Sequence, residues 1–364
     1  MFVSTIQLQI ITRLAMSRIL ITGATGFIGG QLAQALAAAG DEVACLARRG
    51  SRIDRIRSLG VRVVEGDVTA PESIGPAVAG VDVVYHVAGL TKARSRAEFF
   101  AVNEAGAANV LDACRRRATP PVVILVSSLA AAGPATGGRP RVEEDPPAPV
   151  SIYGRSKRAG ELAAIARGGE MPITIIRPPV VLGEGDAASL TLFRMVEKTG
   201  IHLVPGWRPP RLSVVHVADL VDAIIAAARQ GTRLPAKYSA KTELDSDGPL
   251  PQVDARGFYF VAGDEQPTFA DLGRFVGEAL GRQHTRVIRF PSPLVWPIVS
   301  CAELTARLRG RAPLVSRDKA REALAEDWTC SPAKAIAELG FSPRARLAEY
   351  LRQTAAWYRR EGWL

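Results

Sequence analysis

The chain has 364 residues, 47% hydrophobic and 23% charged, with a formal net charge of +10. That is enough apolar sequence for one large domain, or two intimate ones, around a sizeable core. The basic residues are scattered, with no run longer than 115–117, so they read as solvated faces and a few phosphate contacts and not as a nucleic-acid platform.

In chain order, residues 1–15 are mildly apolar and carry one charge, Arg13, without a basic start or a cleavage signal. They read as a loose N-terminal extension, with Met16 as an alternative start. No apolar stretch approaches the roughly 20 residues that span a bilayer. Strand patterns at 18–22, 42–47, 61–65, 83–87, 122–127 and 173–177 alternate with helical ones at 27–39, 71–78, 96–117 and 152–166. This alternation predicts an α/β fold, a doubly wound parallel sheet of the Rossmann type. It places a dinucleotide-binding domain over 16–183 and a smaller, mostly substrate-binding region over 184–364, with some segments returning to the sheet. In that second region the pattern predicts helices at 187–198, 219–229 and 347–359 and strands at 213–217 and 257–261. Thr268 and Asp271 cap a further helix running to 280, and 231–257 reads as a long polar loop. The four cysteines, Cys45, Cys114, Cys301 and Cys330, lie far apart with no CxxC pair. That spacing argues against a zinc site or disulfide framework and fits a reducing cytoplasm; no metal site is expected.

Thr22-Gly23-Ala24-Thr25-Gly26-Phe27-Ile28-Gly29 lies between the first strand and the first helix. Glycines there let the backbone turn and approach a pyrophosphate, while the helix N-terminus supplies N–H donors, so a dinucleotide is expected. Sheets that prefer NAD carry an acid at the end of the second strand; here that place is Ala47, followed by Arg48 and Arg49. Guanidinium in place of carboxylate suits a 2′-phosphate, so NADP(H) is favoured, with NAD(H) the alternative. Tyr153 and Lys157 stand four residues apart on one face of a helix. A free phenol with a pKa of about 10 is a poor proton carrier near neutrality, and an ammonium beside it favours the phenolate. Tyr153 is therefore the expected acid–base group and Lys157 the group that tunes it. Ser127 and Ser128 end a strand nearby, and the residues alone do not say which faces the site.

These motifs together resemble the extended short-chain dehydrogenase/reductase family, in its epimerase/dehydratase and 3β-hydroxysteroid dehydrogenase-like branch. Further matches are Gly66-Asp67-Val68, His86-Val87-Ala88-Gly89, Val126-Ser127-Ser128, Arg177-Pro178-Pro179 and His216-Val217-Ala218-Asp219. The resemblance implies a catalytic set of Ser128, Tyr153, Lys157 and Asn103, with Ser128 preferred over Ser127. It also implies cofactor contacts from Gly23, Thr25, Gly26, Phe27, Ile28, Gly29, Arg48, Asp67, Val68, Ala88, Tyr153, Lys157, Pro178 and Val180. His86 and His216 read as packing residues. Family dimers pair the helices that correspond here to 103–117 and 152–166, so a homodimer is expected.

Sugar-nucleotide members carry an arginine before the His216 segment to hold a diphosphate. The matching position here is Leu212, with Arg211 one residue earlier. The apolar run 290–299, with Trp296, leads into a segment carrying Glu303, Arg307, Arg309 and Arg311. It reads either as a membrane-surface or greasy-pocket element or as an ordinary core helix. The reading is an NAD(P)-dependent oxidoreductase interconverting a ketone and a secondary alcohol on an apolar, lipid- or steroid-like substrate. It would be cytoplasmic, or peripheral at the inner face of a membrane. The alternatives are a sugar-nucleotide epimerase or dehydratase, and a non-catalytic cofactor-binding scaffold.

Overall fold

A computed structural model describes residues 17–236, 254–309 and 316–364. The N-terminal extension, most of the polar loop after Gly231, and Arg311 lie outside the described residues. The expected strands of the first half form as β1 (Arg18–Thr22), β2 (Glu42–Ala47), β3 (Arg62–Glu65), β4 (Val83–His86), β5 (Val122–Val126) and β6 (Ile173–Arg177). Beyond them lie β7 (Val180–Leu182), β8 (Ile201–Pro205), β9 (Val214–His216), β10 (Phe258–Phe260) and β11 (Arg286–Phe290).

Seven strands make one sheet in the order β10-β6-β5-β4-β1-β2-β3, and every pairing in it is parallel. Its central strands are nearly continuous apolar runs, such as Val-Val-Ile-Leu-Val in β5, because helices cover both faces. β7 pairs with β9 and β8 with β11 as two small parallel ribbons outside that sheet. The strand order reverses between β1 and β4, which opens a crevice at their carboxyl ends where ligands of such sheets bind.

The helices are α1 (Phe27–Ala38), α2 (Asp54–Arg57), α3 (Gly75–Val78), α4 (Arg96–Phe100), α5 (Gly106–Arg115), α6 (Leu129–Ala132) and α7 (Ile152–Ile165). They continue as α8 (Leu190–Thr199), α9 (Val217–Gln230), α10 (Phe269–Ala279), α11 (Ser292–Leu308), α12 (Arg317–Ala323), α13 (Ala333–Leu339) and α14 (Leu347–Arg360). Leu32 and Leu36 of α1, Leu220 and Ile224 of α9 and Leu339 of α13 pack one face of the sheet. Val110 and Leu111 of α5 and Ala164 of α7 pack the other. A third cluster holds the substrate side together through Phe193 and Val196 of α8, Val276 of α10, and Leu351 and Tyr358 of α14.

The single helix expected over 96–117 is broken instead into α4 and α5 by a π-type turn at Ala101–Ala105. Asn103 sits in that turn, and its amide ties the Leu90 backbone to Ser156 of α7, a competing set of bonds that helix periodicity does not reveal. The apolar run after Phe290 becomes α11, which turns Val295 and Val299 inward and leaves Leu294 and Ile298 more than half exposed. No helix among the described residues is long and apolar enough to cross a membrane.

Candidate active site

The glycine loop folds tightly because its close approaches leave no room for side chains. A Cβ on Gly29 would lie 2.3 Å from the Gly23 carbonyl oxygen, and Gly23 itself takes a φ of +76° against the Ala88 backbone. No side chain caps α1 and its first turn carries no acid, so its N–H groups stay open to an anion. The loop forms one end of a cavity of about 1410 Å³. At that end Arg48, Asp67, Val68 and Ala88 also reach the wall, with Pro178 and Val180 further along. Beside it, Arg48, Arg49, Ser51, Glu65 and Asp67 line a smaller hollow of about 460 Å³. The Asp67 carboxylate is engaged locally, accepting from the Thr69 N–H and hydroxyl at 2.9 Å each.

Ser128 and Tyr153 meet at the middle of the cavity. Ser128 caps α6 through the Ala130 N–H at 3.1 Å, and Ser151 caps α7 through the Gly154 N–H at 2.8 Å. Gly154 lets the two helices touch: a Cβ there would sit 2.3 Å from the Ala130 carbonyl oxygen. That contact brings the Tyr153 hydroxyl into hydrogen-bonding reach of Ser128. Ser127 turns the other way and donates to Glu161 at 2.6 Å, inside a buried cluster with Arg177 and Arg158. The pair that sequence left open is thus divided by geometry, with Ser127 serving the core and Ser128 the cavity.

Lys157 and Asn103 lie one layer behind the wall, under Gly89, where a Cβ would come within 3.1 Å of Asn103 Oδ1 and 3.4 Å of Lys157 Nζ. Lys157 Nζ donates to the Val126 carbonyl at 2.6 Å, and burial lowers its pKa to about 8, with Glu161 opposing. Burial raises the Tyr153 phenol above its ordinary value; the Ser128 hydrogen bond and the charge of Lys319 pull against that shift. The Nζ of Lys319 on α12 lies 4.9 Å from the Tyr153 ring centre. Lys157, one helix turn on from Tyr153, donates to the Val126 carbonyl at the end of β5.

His86 is buried and paired with Thr22 Oγ1 at 2.8 Å; burial and the nearby Lys157 charge push its pKa down to about 3, so it is neutral. His216 stacks on Tyr350 with ring centres 3.9 Å apart. Both pack. Beyond Tyr153 the wall becomes apolar, with Leu192, Leu212, Phe269, Phe290, Val295 and Trp328. Leu212 is buried there, while Arg211 is committed to Asp327 at 2.7 Å and to the Gly138 carbonyl. Lys319 and Glu322 also line this chamber and carried no local signal in the sequence. They sit more than 160 positions from Tyr153 and approach it only through the fold.

The family model described as "NAD dependent epimerase/dehydratase family" matches residues 19–239. The chain is similar to a ceramide reductase of Caulobacter vibrioides, 32% identical over 344 residues, covering 94% of this chain and 95% of the relative. It is also similar to a 3 beta-hydroxysteroid dehydrogenase/Delta 5-->4-isomerase of Mycobacterium tuberculosis, 27% identical over 360 residues, covering 94% of this chain and 90% of the relative. Its fold is shared with the UDP-glucose 4-epimerase of Thermus thermophilus solved with NAD, at a TM-score of 0.70 and 23% identity, over 94% of this chain and 99% of that one. The uncapped α1 and the cradle that only glycine fits agree with a nicotinamide dinucleotide as the cofactor. The chain is an enzyme of the NAD-dependent epimerase/dehydratase family, the extended branch of the short-chain dehydrogenases and reductases.

Proposed function

We propose that this enzyme interconverts a ketone and a secondary alcohol on an apolar, lipid-like substrate, with NADP(H) preferred. The observation that carries the reading is the shape of the large cavity. It runs from the glycine loop past Ser128 and Tyr153 into a chamber walled by Leu192, Leu212, Phe269, Phe290 and Val295. The position where a sugar-nucleotide diphosphate would need a cation is the buried Leu212, and Arg211 is held by Asp327. Similarity to proteins named as a ceramide reductase and a steroid dehydrogenase supports the same class of substrate.

The glycine loop and the open N-terminus of α1 would hold the pyrophosphate, and Arg48 with Ser51 would meet a 2′-phosphate in the smaller hollow. When bound, the nicotinamide supplies or accepts the hydride at the carbonyl carbon. Ser128 donates a hydrogen bond to the substrate oxygen as charge develops on it. Tyr153 gives that oxygen its proton in reduction and takes it back in oxidation. Lys157, under Gly89, would hold the nicotinamide ribose and add its charge behind Tyr153, and Asn103 braces the floor of the site. Asn103 has its amide fully engaged with Leu90 and Ser156 and acts by tying the 101–105 turn to α7. The apolar chamber excludes water from the carbonyl, which strengthens these interactions. To the same reading belong a homodimer through 103–117 and 152–166, tested by sedimentation, and contact of α11 with a membrane surface, tested by vesicle flotation.

The test is NADPH oxidation against a panel of ketones (a keto steroid, a long-chain β-keto ester, a ketoceramide) beside UDP-glucose and dTDP-glucose. Turnover of an apolar ketone that disappears in Tyr153→Phe supports the reading. Binding and conversion of a nucleoside diphosphate sugar, with the ketones inert, overturns it.

A further inference from the structure

The short helix α12 is built onto the start of α7. The Asp318 carboxylate accepts from the Ile152 and Tyr153 N–H groups at 2.6 and 3.1 Å. Glu322 accepts from the Ser151 hydroxyl at 2.5 Å, the same hydroxyl that caps α7. A helix N-terminus is the partially positive end, so two carboxylates there are electrostatically favourable. Lys319, between them in sequence, donates to Glu322 at 2.6 Å and holds its ammonium 4.9 Å from the centre of the Tyr153 ring. Phe99 of α4 covers the ring at 6.1 Å, and Ser128 meets the hydroxyl. The charged groups around this phenol are thus Lys319, Glu322 and Asp318 from α12 and Lys157 from its own helix, with Phe99 and Ser128 the neutral neighbours from α4 and the β5–α6 turn.

We propose that Lys319 is a positioning residue that sets the proton affinity of the Tyr153 hydroxyl, with Glu322 as its counter-ion, so that the substrate-side segment governs the proton step. The inference rests on the assignment of Tyr153 as the acid–base group. Its physics is that of a cation near the ring face. The ammonium attracts the neutral ring weakly and the phenolate much more strongly, because the phenolate carries a full charge. The chamber wall keeps the pair partly out of water, where the attraction is less screened. The Lys319 ammonium is itself held in its charged form by Glu322 against the opposing effect of burial. Lys319, Ala320, Glu322 and Ala323 all face the chamber, so whatever fills that chamber touches the helix that tunes the phenol.

The two members of the pair make opposite predictions, which a merely structural role would not. Lys319→Met removes the cation and leaves Glu322 beside the phenol, raising the Tyr153 titration midpoint by about one pH unit. Glu322→Gln keeps the acceptor for Ser151 and frees the cation, lowering the midpoint. Lys319→Arg restores the wild-type value. The measurement is the near-ultraviolet absorbance of phenolate in the full chain. It is taken at a fixed alkaline pH at which circular dichroism shows every variant folded, as the difference between each protein and the same protein carrying Tyr153→Phe. The phenolate-to-phenol ratio at that pH should fall about tenfold in Lys319→Met and rise in Glu322→Gln. Equal ratios in the three proteins, or shifts of the same sign in both variants, overturn the inference. Ketone turnover that survives Tyr153→Phe would instead overturn the functional reading on which it stands, so the two failures are separable.

Discussion

Glu161 is fully buried in the core and accepts four hydrogen bonds there. It accepts two hydrogen bonds from Arg177 at 2.8 Å each, one from Arg158 at 3.0 Å and one from Ser127 at 2.6 Å. Burial alone would raise its pKa; Arg177, Arg158 and the Ser127 hydroxyl outweigh that and hold it down to about 2. Against an ordinary value of 4.5, this is a difference of about 2.5 units, or about 3 kcal/mol of stability from the ionised form. The independent expectation for removing one partner of a buried ion pair is about 3–5 kcal/mol, because the guanidiniums stay buried without their anion. Glu161→Gln keeps the size and deletes the charge, so a loss of about 3 kcal/mol is expected at neutral pH. The sign with pH follows. The folded pKa is depressed, so the stabilisation is fully present above about pH 4.5 and is lost as pH falls toward 2. The wild type should therefore lose stability steeply over that window, and Glu161→Gln should lose much less. Urea unfolding followed by tryptophan fluorescence at a series of pH values measures both effects. A loss under 1 kcal/mol at neutral pH, or parallel acid limbs for the two proteins, would refute the reasoning.

Tyr153→Phe should lower ketone turnover by at least about a hundredfold while NADPH binding, read by fluorescence titration, stays within a few fold. Arg48→Asp should weaken NADPH binding by about tenfold or more and leave NADH binding little changed; equal preference before and after would remove the 2′-phosphate assignment. Leu212→Arg places a charge on the apolar wall beside the Arg211–Asp327 pair, so it should raise KM for apolar ketones about tenfold, and unaltered KM would count against the substrate chamber. Gly154→Ala forces a Cβ to 2.3 Å from the Ala130 carbonyl; it should lower the melting temperature at a cost of about 1–3 kcal/mol and depress turnover through the displaced Tyr153.

The nucleotide half was legible because its information is local. Apolar runs bounded by turns mark β1 to β6, and glycines at fixed offsets mark the loop, so ranges and motifs emerge from short windows of sequence. The Thr268–Asp271 capping box likewise gave the start of α10 and forms as expected. The substrate side was less legible. β7 and β9 are three residues each, and β8 and β11 pair across 80 positions, so neither ribbon has a periodic signature. The fate of Lys157 shows the same limit at one residue. The spacing from Tyr153 puts both on one helix face, but only the fold reveals that the amine is drawn to Val126 and that a lysine from α12 stands over the phenol. Ser127 and Ser128, identical in type and adjacent, are told apart only by what lies on either side of β5.

The outermost strand of the large sheet, β10, joins β6 only after the polypeptide has already left for the chamber and contributed β7, β8 and β9 there. The two halves of the molecule are thus interlaced and not strung end to end. No single cut separates them, and exchanging one half with a relative's would unravel both. Changes of specificity in such a weave must come side chain by side chain on a standing frame, as at Leu212 or Phe290, and not by shuffling whole modules.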